Sequence, residues 1–111
     1  MMSPCDEEAQ TPGPSGVSDA ARELLEKKLQ SFFPAALGTK HVKIWSGLRT
    51  FSKDRKFVIG WDFIQKNLFW TACLGGYGVT AAAGCGDLAA ALLTETKVSE
   101  EFRSAFDPGR F

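Results

Sequence analysis

Leu24, Leu25, Leu29, Phe32 and Phe33 recur at spacings of three and four residues, which places them on one stripe of a helix. The pattern predicts a helix over about residues 18–33. Ser18 stands at the N-cap position, and Asp19 and Glu23 lie near the positive end of the helix that follows. Pro34 ends it, because the residue before a proline avoids the α region. Further on the apolar period shortens. Val42, Ile44, Trp45, Leu48 and Phe51 predict a strand near 42–51, with Gly47 as a bulge. "SKDR" (52–55) reads as a turn and "KFVIGWDF" as a second strand near 56–61, so the two form a hairpin or a wider meander. "LFWTACL" predicts a third strand near 68–74, solidly apolar and so expected to be buried on both faces.

A glycine-rich turn follows, then a helix near 79–93. That helix is mostly alanine but keeps Gly84 and Gly86, each costing about 1 kcal/mol against alanine. Close approach of the helix backbone to the sheet would offset that cost. A short helical turn is expected over 98–105. Residues 1–17, "MMSPCDEEAQTPGPSGV", have no apolar period and read as a disordered leader. The order of elements is that of an α/β chain.

Composition narrows the function classes. The chain has 111 residues, enough for one small domain, and its 13 basic and 13 acidic residues cancel. No global field attracts nucleic acid or an anionic membrane. Lys53, Arg55 and Lys56 are interrupted by Asp54, as in a solvated turn. Cys5, Cys73 and Cys85 are odd in number, show no C-x-x-C spacing and follow no signal peptide, which argues for a reducing, cytoplasmic setting. Cys73 and Cys85 read as small hydrophobes in the apolar strand and the helix after it. His41 is the single histidine and has no partner at metal spacing, so no metal site is expected. Residues 67–86 carry no charge and are long enough to span a bilayer, but five glycines fall inside the run. A strand, a turn and a buried helix explain it instead.

The turn poses a sharper question. Gly76-x-Gly78-x-x-Ala81 fits the G-x-G-x-x-A form of a dinucleotide fingerprint. Such a unit needs a second strand after the helix, ending in an acid that binds the ribose. Glu95, Glu100 and Glu101 are available, but "TETKVSEEFRSAF" offers no apolar strand for them to terminate. A pyrophosphate site here is therefore disfavoured. The electrostatics survive that objection: glycines expose backbone N–H groups at a helix N-terminus, where partial negative charge is stabilised. A tight connection with no ligand explains the same residues.

"WSGLRTFSKDRKFVIGWD" followed by "NLFWTACLGGYGVTAAAGCGDLAAALL" resembles the C-terminal part of the D-amino-acid-oxidase-like FAD-dependent oxidoreductases. The matching pieces are the W-x-G-L-R strand, F-x-x-D-x-x-x-x-I-G, the apolar strand and G-G-Y-G-[VL]-T. "FDPGRF" resembles the usual C-terminus of such enzymes, and the likeness covers about residues 19–111. The resemblance implies FAD as cofactor and a small amino acid or amine as substrate, oxidised by hydride transfer to the flavin. It places Gly75, Gly76, Tyr77, Gly78, Val79 and Thr80 beside the flavin ring, near its pyrimidine edge. It gives Arg49 the substrate carboxylate, which a guanidinium fork suits bidentately. The alternative for Arg49 is a surface arginine paired with Asp54 or Asp62. Tyr77 either edges the substrate pocket or packs against the helix. No general base is evident.

The resemblance also implies an architecture. Residues 18–67 would be a partial substrate domain, contributing to its antiparallel sheet. Residues 68–111 would supply the last strand and helix of a Rossmann-like FAD-binding domain, and the tail. The family's own dinucleotide fingerprint lies near the N-terminus of a much longer chain. The present sequence lacks that fingerprint and most of the substrate domain, and Ala83 stands where many members have proline. A C-terminal fragment, inactive alone, is the resulting expectation. The alternative is a non-catalytic α/β remnant or partner-binding module, whose exposed strand edges pair with other chains.

Overall fold

The computed structural model describes residues 2–14, 16–40 and 43–111. The chain divides into two compact units, residues 1–48 and 49–111. In the first, helix α1 runs Asp19–Phe32. The Ser18 hydroxyl caps it by accepting the Ala21 N–H at 3.1 Å, which satisfies one of the partnerless first-turn amides. Phe33 closes the other end by donating to the Leu29 carbonyl, and Pro34 opens a single 3-10 turn, Pro34–Ala36. Leu24, Leu25 and Leu29 are half-buried, whereas Phe32 is 84% exposed and Phe33 59%. The predicted stripe is thus only partly covered.

The strand expected near 42–51 is not formed among the described residues 43–51. Ile44, Trp45 and Leu48 are exposed there. A β-prone sequence stays irregular when no neighbouring strand takes up its backbone groups. His41 and Val42, to which the metal and strand expectations also referred, lie outside the described residues.

The second unit contains the sheet. Strands β1 (Val58–Trp61) and β2 (Phe69–Ala72) pair antiparallel, with Ile59 opposite Thr71 and Gly60 opposite Trp70. The pairing therefore joins the second and third predicted strands, not the first and second. Asp62 fixes the connection between them. Its carboxylate accepts the backbone N–H groups of Ile64 (2.8 Å) and Gln65 (2.5 Å) and the Trp70 indole N–H (2.8 Å). These donors, the Gln65 amide first, hold its pKa below the ordinary value. Trp61 and Phe69, opposite one another, meet edge to face at 5.1 Å.

Helix α2 runs Gly78–Leu93 and α3 Glu100–Phe106, the latter capped by Ser99, and a 3-10 turn, Pro108–Arg110, ends the ordered elements. All three pack on β1. Val58, Ile59 and, from α2, Cys85 are buried, with Ile59 only 2% exposed. Phe57, just before β1, stacks on Phe106 of α3 at 6.0 Å. Among the described residues, three α-helices and a two-stranded antiparallel sheet make up the α/β fragment anticipated from the element order.

Two expectations about packing are corrected. β2 is not buried on both faces: Phe69 and Ala72 are half-buried, and Trp70 and Thr71 are exposed. With one neighbour in a two-stranded sheet, its apolar side chains outnumber the surfaces that can cover them. Nor do Gly84 and Gly86 bring α2 close to the sheet, since a Cβ at either meets nothing within 4 Å. The close approach occurs at Gly60. Its φ is +153°, and a Cβ there would lie 2.8 Å from Pro108 Cδ.

Gly60→Ala is expected to destabilise the second unit by about 1–3 kcal/mol, combining an unfavourable φ with displacement of Pro108. Gly84→Ala, in a helix and facing open space, is expected to stabilise by about 0.5–1 kcal/mol. Urea unfolding followed by the fluorescence of Trp61 and Trp70 compares the two, and the expected shifts have opposite signs.

Candidate functional site

The glycine turn joins β2 to α2 through three residues in the left-handed region: Cys73, Gly75 and Gly76 have φ of +59°, +56° and +91°. The Tyr77 N–H closes it on the Leu74 carbonyl at 2.7 Å. The positive φ values suit the two glycines, which lack the Cβ that penalises this region.

Their bare sides are not left open. A Cβ on Gly75 would stand 3.0 Å from Phe51 Cε1, and one on Gly76 would stand 2.8 Å from Arg49 Cδ. The segment 49–51 therefore lies directly against the turn, and the Gly75 N–H donates to the Thr50 carbonyl at 3.1 Å. The Arg49 and Arg55 guanidinium carbons lie 5.4 and 5.2 Å from the centre of the Phe51 ring, within cation–π range. Arg49 itself is half-buried.

The amides give the turn its electrostatic character. Gly75 and Tyr77 donate within the protein, and the first intrahelical bond of α2 runs from the Ala81 N–H to the Tyr77 carbonyl. Among the described residues no acceptor meets the N–H groups of Gly76, Gly78, Val79 and Thr80. Tyr77 provides no side-chain cap and the first turn has no acidic residue, unlike α1 and α3, each of which has both. Val79 is 96% exposed and Tyr77 66%, so this helix end faces solvent. Four open amides at the positive end of a sixteen-residue helix suit the electron-rich edge of a planar ring. The residues predicted to meet a flavin are thus grouped at one place, with Arg49 against them.

Asp54 and Asp62, the acids named as alternatives for Arg49, each carry a set of hydrogen bonds. Asp62 closes its own loop, as above. Asp54 receives Arg110 as a fork, Nε to Oδ2 at 2.8 Å and Nη2 to Oδ1 at 3.0 Å. The Ser52 hydroxyl and the Lys56 N–H also reach Oδ1, at 2.8 and 3.2 Å. The Arg110 guanidinium holds the Asp54 carboxyl far below the usual carboxylate range, against an opposing push from burial, with Ser52 and Lys56 adding to the lowering. This pair, 56 residues apart, was missed in the sequence. Its signal lay in the two motifs that contain it, F-x-x-D and F-D-P-G-R-F.

Among the described residues no group of three or more His, Cys, Asp and Glu side chains is placed to hold a metal ion. No helix there is long and apolar enough to cross a membrane.

The model of the DAO family, FAD dependent oxidoreductases, matches residues 2–92. It takes in the first residues, which the sequence resemblance had left aside, and stops before the C-terminal F-D-P-G-R-F. A D-amino acid dehydrogenase of Methylobacterium nodulans is 34% identical over 73 residues. That alignment covers 66% of this chain and 17% of the relative's length. No solved structure gives a significant match.

The sign of the Asp54 shift sets a pH dependence. Its folded pKa is lowered, so its contribution is complete above the unfolded value, about 3.9, and is lost as the pH falls through the folded one. Asp54→Asn is expected to lower the urea midpoint of the second unit by a constant amount above about pH 5. The gap between variant and wild type should close progressively below about pH 4.

Proposed function

Because this chain belongs to the DAO family of FAD dependent oxidoreductases, we propose that it forms the flavin-edge and substrate-carboxylate side of an enzyme oxidising the C–N bond of a small amino acid or amine. FAD is the family's cofactor, and when bound it supplies the hydride acceptor. The open amides of Gly76, Gly78, Val79 and Thr80 stabilise negative charge at the pyrimidine edge of the ring. Gly75 and Tyr77 shape the turn that presents them, and Tyr77, exposed beside the helix end, edges the substrate pocket. Arg49, laid across Gly76, orients the substrate carboxylate. In this reading the part of these residues is binding and orientation. The observation that carries this reading is the uncapped, acid-free and exposed N-terminus of α2 with Arg49 beside it.

In this reading residues 18–67 correspond to substrate-domain structure and 68–111 to the last strand, helix and tail of the FAD domain. The free cysteines Cys5, Cys73 and Cys85 suit a reducing compartment. The relative named as a D-amino acid dehydrogenase makes a D-amino acid the first substrate to try. The second reading, a non-catalytic remnant that pairs with other chains, draws on the open edge of the two-stranded sheet.

A ¹⁵N–¹H titration of the 111-residue chain with FAD separates the two. Four amide hydrogen bonds contribute about 0.5–1.5 kcal/mol each. Association costs about 4 kcal/mol or more. At most about 2 kcal/mol remains, so binding no tighter than about 10 mM is expected, with shifts concentrated at Gly76, Gly78, Val79 and Thr80. Arg49→Ala should leave FAD binding intact and abolish any preference for a carboxylate ligand. No turnover of amino acids above free flavin is expected from this chain alone. Unshifted amides at those four positions at saturating FAD would favour the non-catalytic reading, and micromolar binding would refute the weak, edge-only contact.

A further inference from the structure

The C-terminal tail and the glycine turn are far apart in sequence, yet one unbroken series of contacts joins them. Arg110 is held on its own element by a bond from Nη1 to the Asp107 carbonyl at 2.8 Å. Its other nitrogens grip Asp54 as a fork, and Nη2 also reaches the Lys56 carbonyl at 3.3 Å. The pair is partly shielded, with the Arg110 side chain 12% exposed and that of Asp54 33%. Asp54 in turn ties the Ser52 hydroxyl and the Lys56 amide, and the Arg55 N–H closes the turn on the Ser52 carbonyl at 3.1 Å. Residues 52–56 are thereby one fastened loop. Its first flank is Phe51, whose ring lies on Gly75, preceded by Thr50, whose carbonyl takes the Gly75 amide.

The tail is also fitted to β1. Pro108 occupies the space where Gly60 has no side chain, and Asp107 starts the last 3-10 turn by accepting the Gly109 N–H at 2.6 Å. Both ends of the series are thus anchored, one on β1 and one on the turn before α2.

We propose that Arg110 is a positioning residue for the glycine turn: through Asp54 it holds loop 52–56, and with it Phe51, Thr50 and Arg49, against Gly75 and Gly76. A guanidinium suits this task, because a two-point fork fixes the orientation of the carboxylate as well as its distance. The functional weight of the coupling rests on the flavin-edge reading above. The coupling itself does not.

Amide hydrogen exchange of the 111-residue chain, read residue by residue without flavin, tests it. In the wild type the Gly75 amide should be protected. Arg110→Ala and Asp54→Asn should each speed its exchange by about tenfold more than that of the α2 interior around Cys85, the mark of local opening. The double variant should add little to either single one, because both break the same link. Arg110→Lys, which keeps the charge and loses the fork, should fall between. Arg103→Ala removes an exposed neighbouring cation, 3.9 Å from Glu100, and should change nothing. An unprotected Gly75 amide in the wild type would overturn the proposal. So would equal acceleration at Gly75 and in α2, which would mean simple loss of global stability. Because no flavin is present, the result stands apart from the FAD titration.

Discussion

The second unit depends on a single four-residue strand. β1 is the element on which β2, α2, α3 and the final 3-10 turn all converge, and its first three residues are buried. Alternation normally leaves one face of such a short strand to solvent. Here Val58 and Ile59 are covered and Gly60 is overlaid by Pro108. The absence of a Cβ at Gly60 is what permits that overlay. A Cβ there would stand 2.8 Å from Pro108 Cδ, so the strand or the tail would have to shift. The small size of the core makes this constraint severe: beyond Val58, Ile59, Cys85 and Pro108, no apolar side chain among the described residues of the unit is buried. Ring contacts such as Phe57 on Phe106 carry the remaining packing.

This explains why two motifs that are separate in the sequence act as one structure. In F-x-x-D-x-x-x-x-I-G, Phe51 covers Gly75, Asp54 receives Arg110, Ile59 fills the core and Gly60 admits the tail. In F-D-P-G-R-F, Phe106 stacks on Phe57, Asp107 caps the turn, Pro108 meets Gly60 and Arg110 answers Asp54. The ion pair is a fork with limited exposure, unlike the loose Arg22–Asp19 and Arg103–Glu100 pairs at 3.9 Å, which are of the solvent-screened kind that contributes little.

Local signals made much of the fold legible. Ser18 and Pro34 bracket α1 as their backbone preferences require, and the glycine turn marks the start of α2 to within a residue. Signals that depend on partners misled. "KIWSGLRTF" has strand composition but no strand beside it, and "LFWTACL" has the composition of a buried strand but a neighbour on one edge only. The grouping of the glycine turn with Arg49 could not be read from spacing, since the contact of Gly76 with Arg49 joins residues 27 positions apart. Resemblance brought those residues together where periodicity had nothing to say. The basic cluster at 53–56 was legible as a turn, but the partner of its acid was not, because only the folded tail brings Arg110 to Asp54.

The three helices set out the local energetics of the proposed site. α1 and α3 each begin with a serine whose hydroxyl takes an N–H of the first turn, and each has acidic residues there. A cap of this kind contributes about 1 kcal/mol, and a first-turn acid adds a few tenths. α2 is the longest of the three and has neither. Ser18 and Ser99 cap from an extended backbone, whereas residue 77 has φ −93° and ψ 6°, so the chain enters α2 from a turn that does not present a capping side chain. Tyrosine stands there, with its ring exposed. Nor do the small residues of the first turn cover the open amides, because Gly78, Thr80 and Ala81 present little bulk. A helix start left uncapped costs stability in the free chain and is recovered only when an external acceptor arrives. The flavin edge has the charge for that role. Arg49 is held across Gly76 by the same backbone that leaves the amides open, so in the proposed reading cofactor contact and carboxylate contact would share one scaffold.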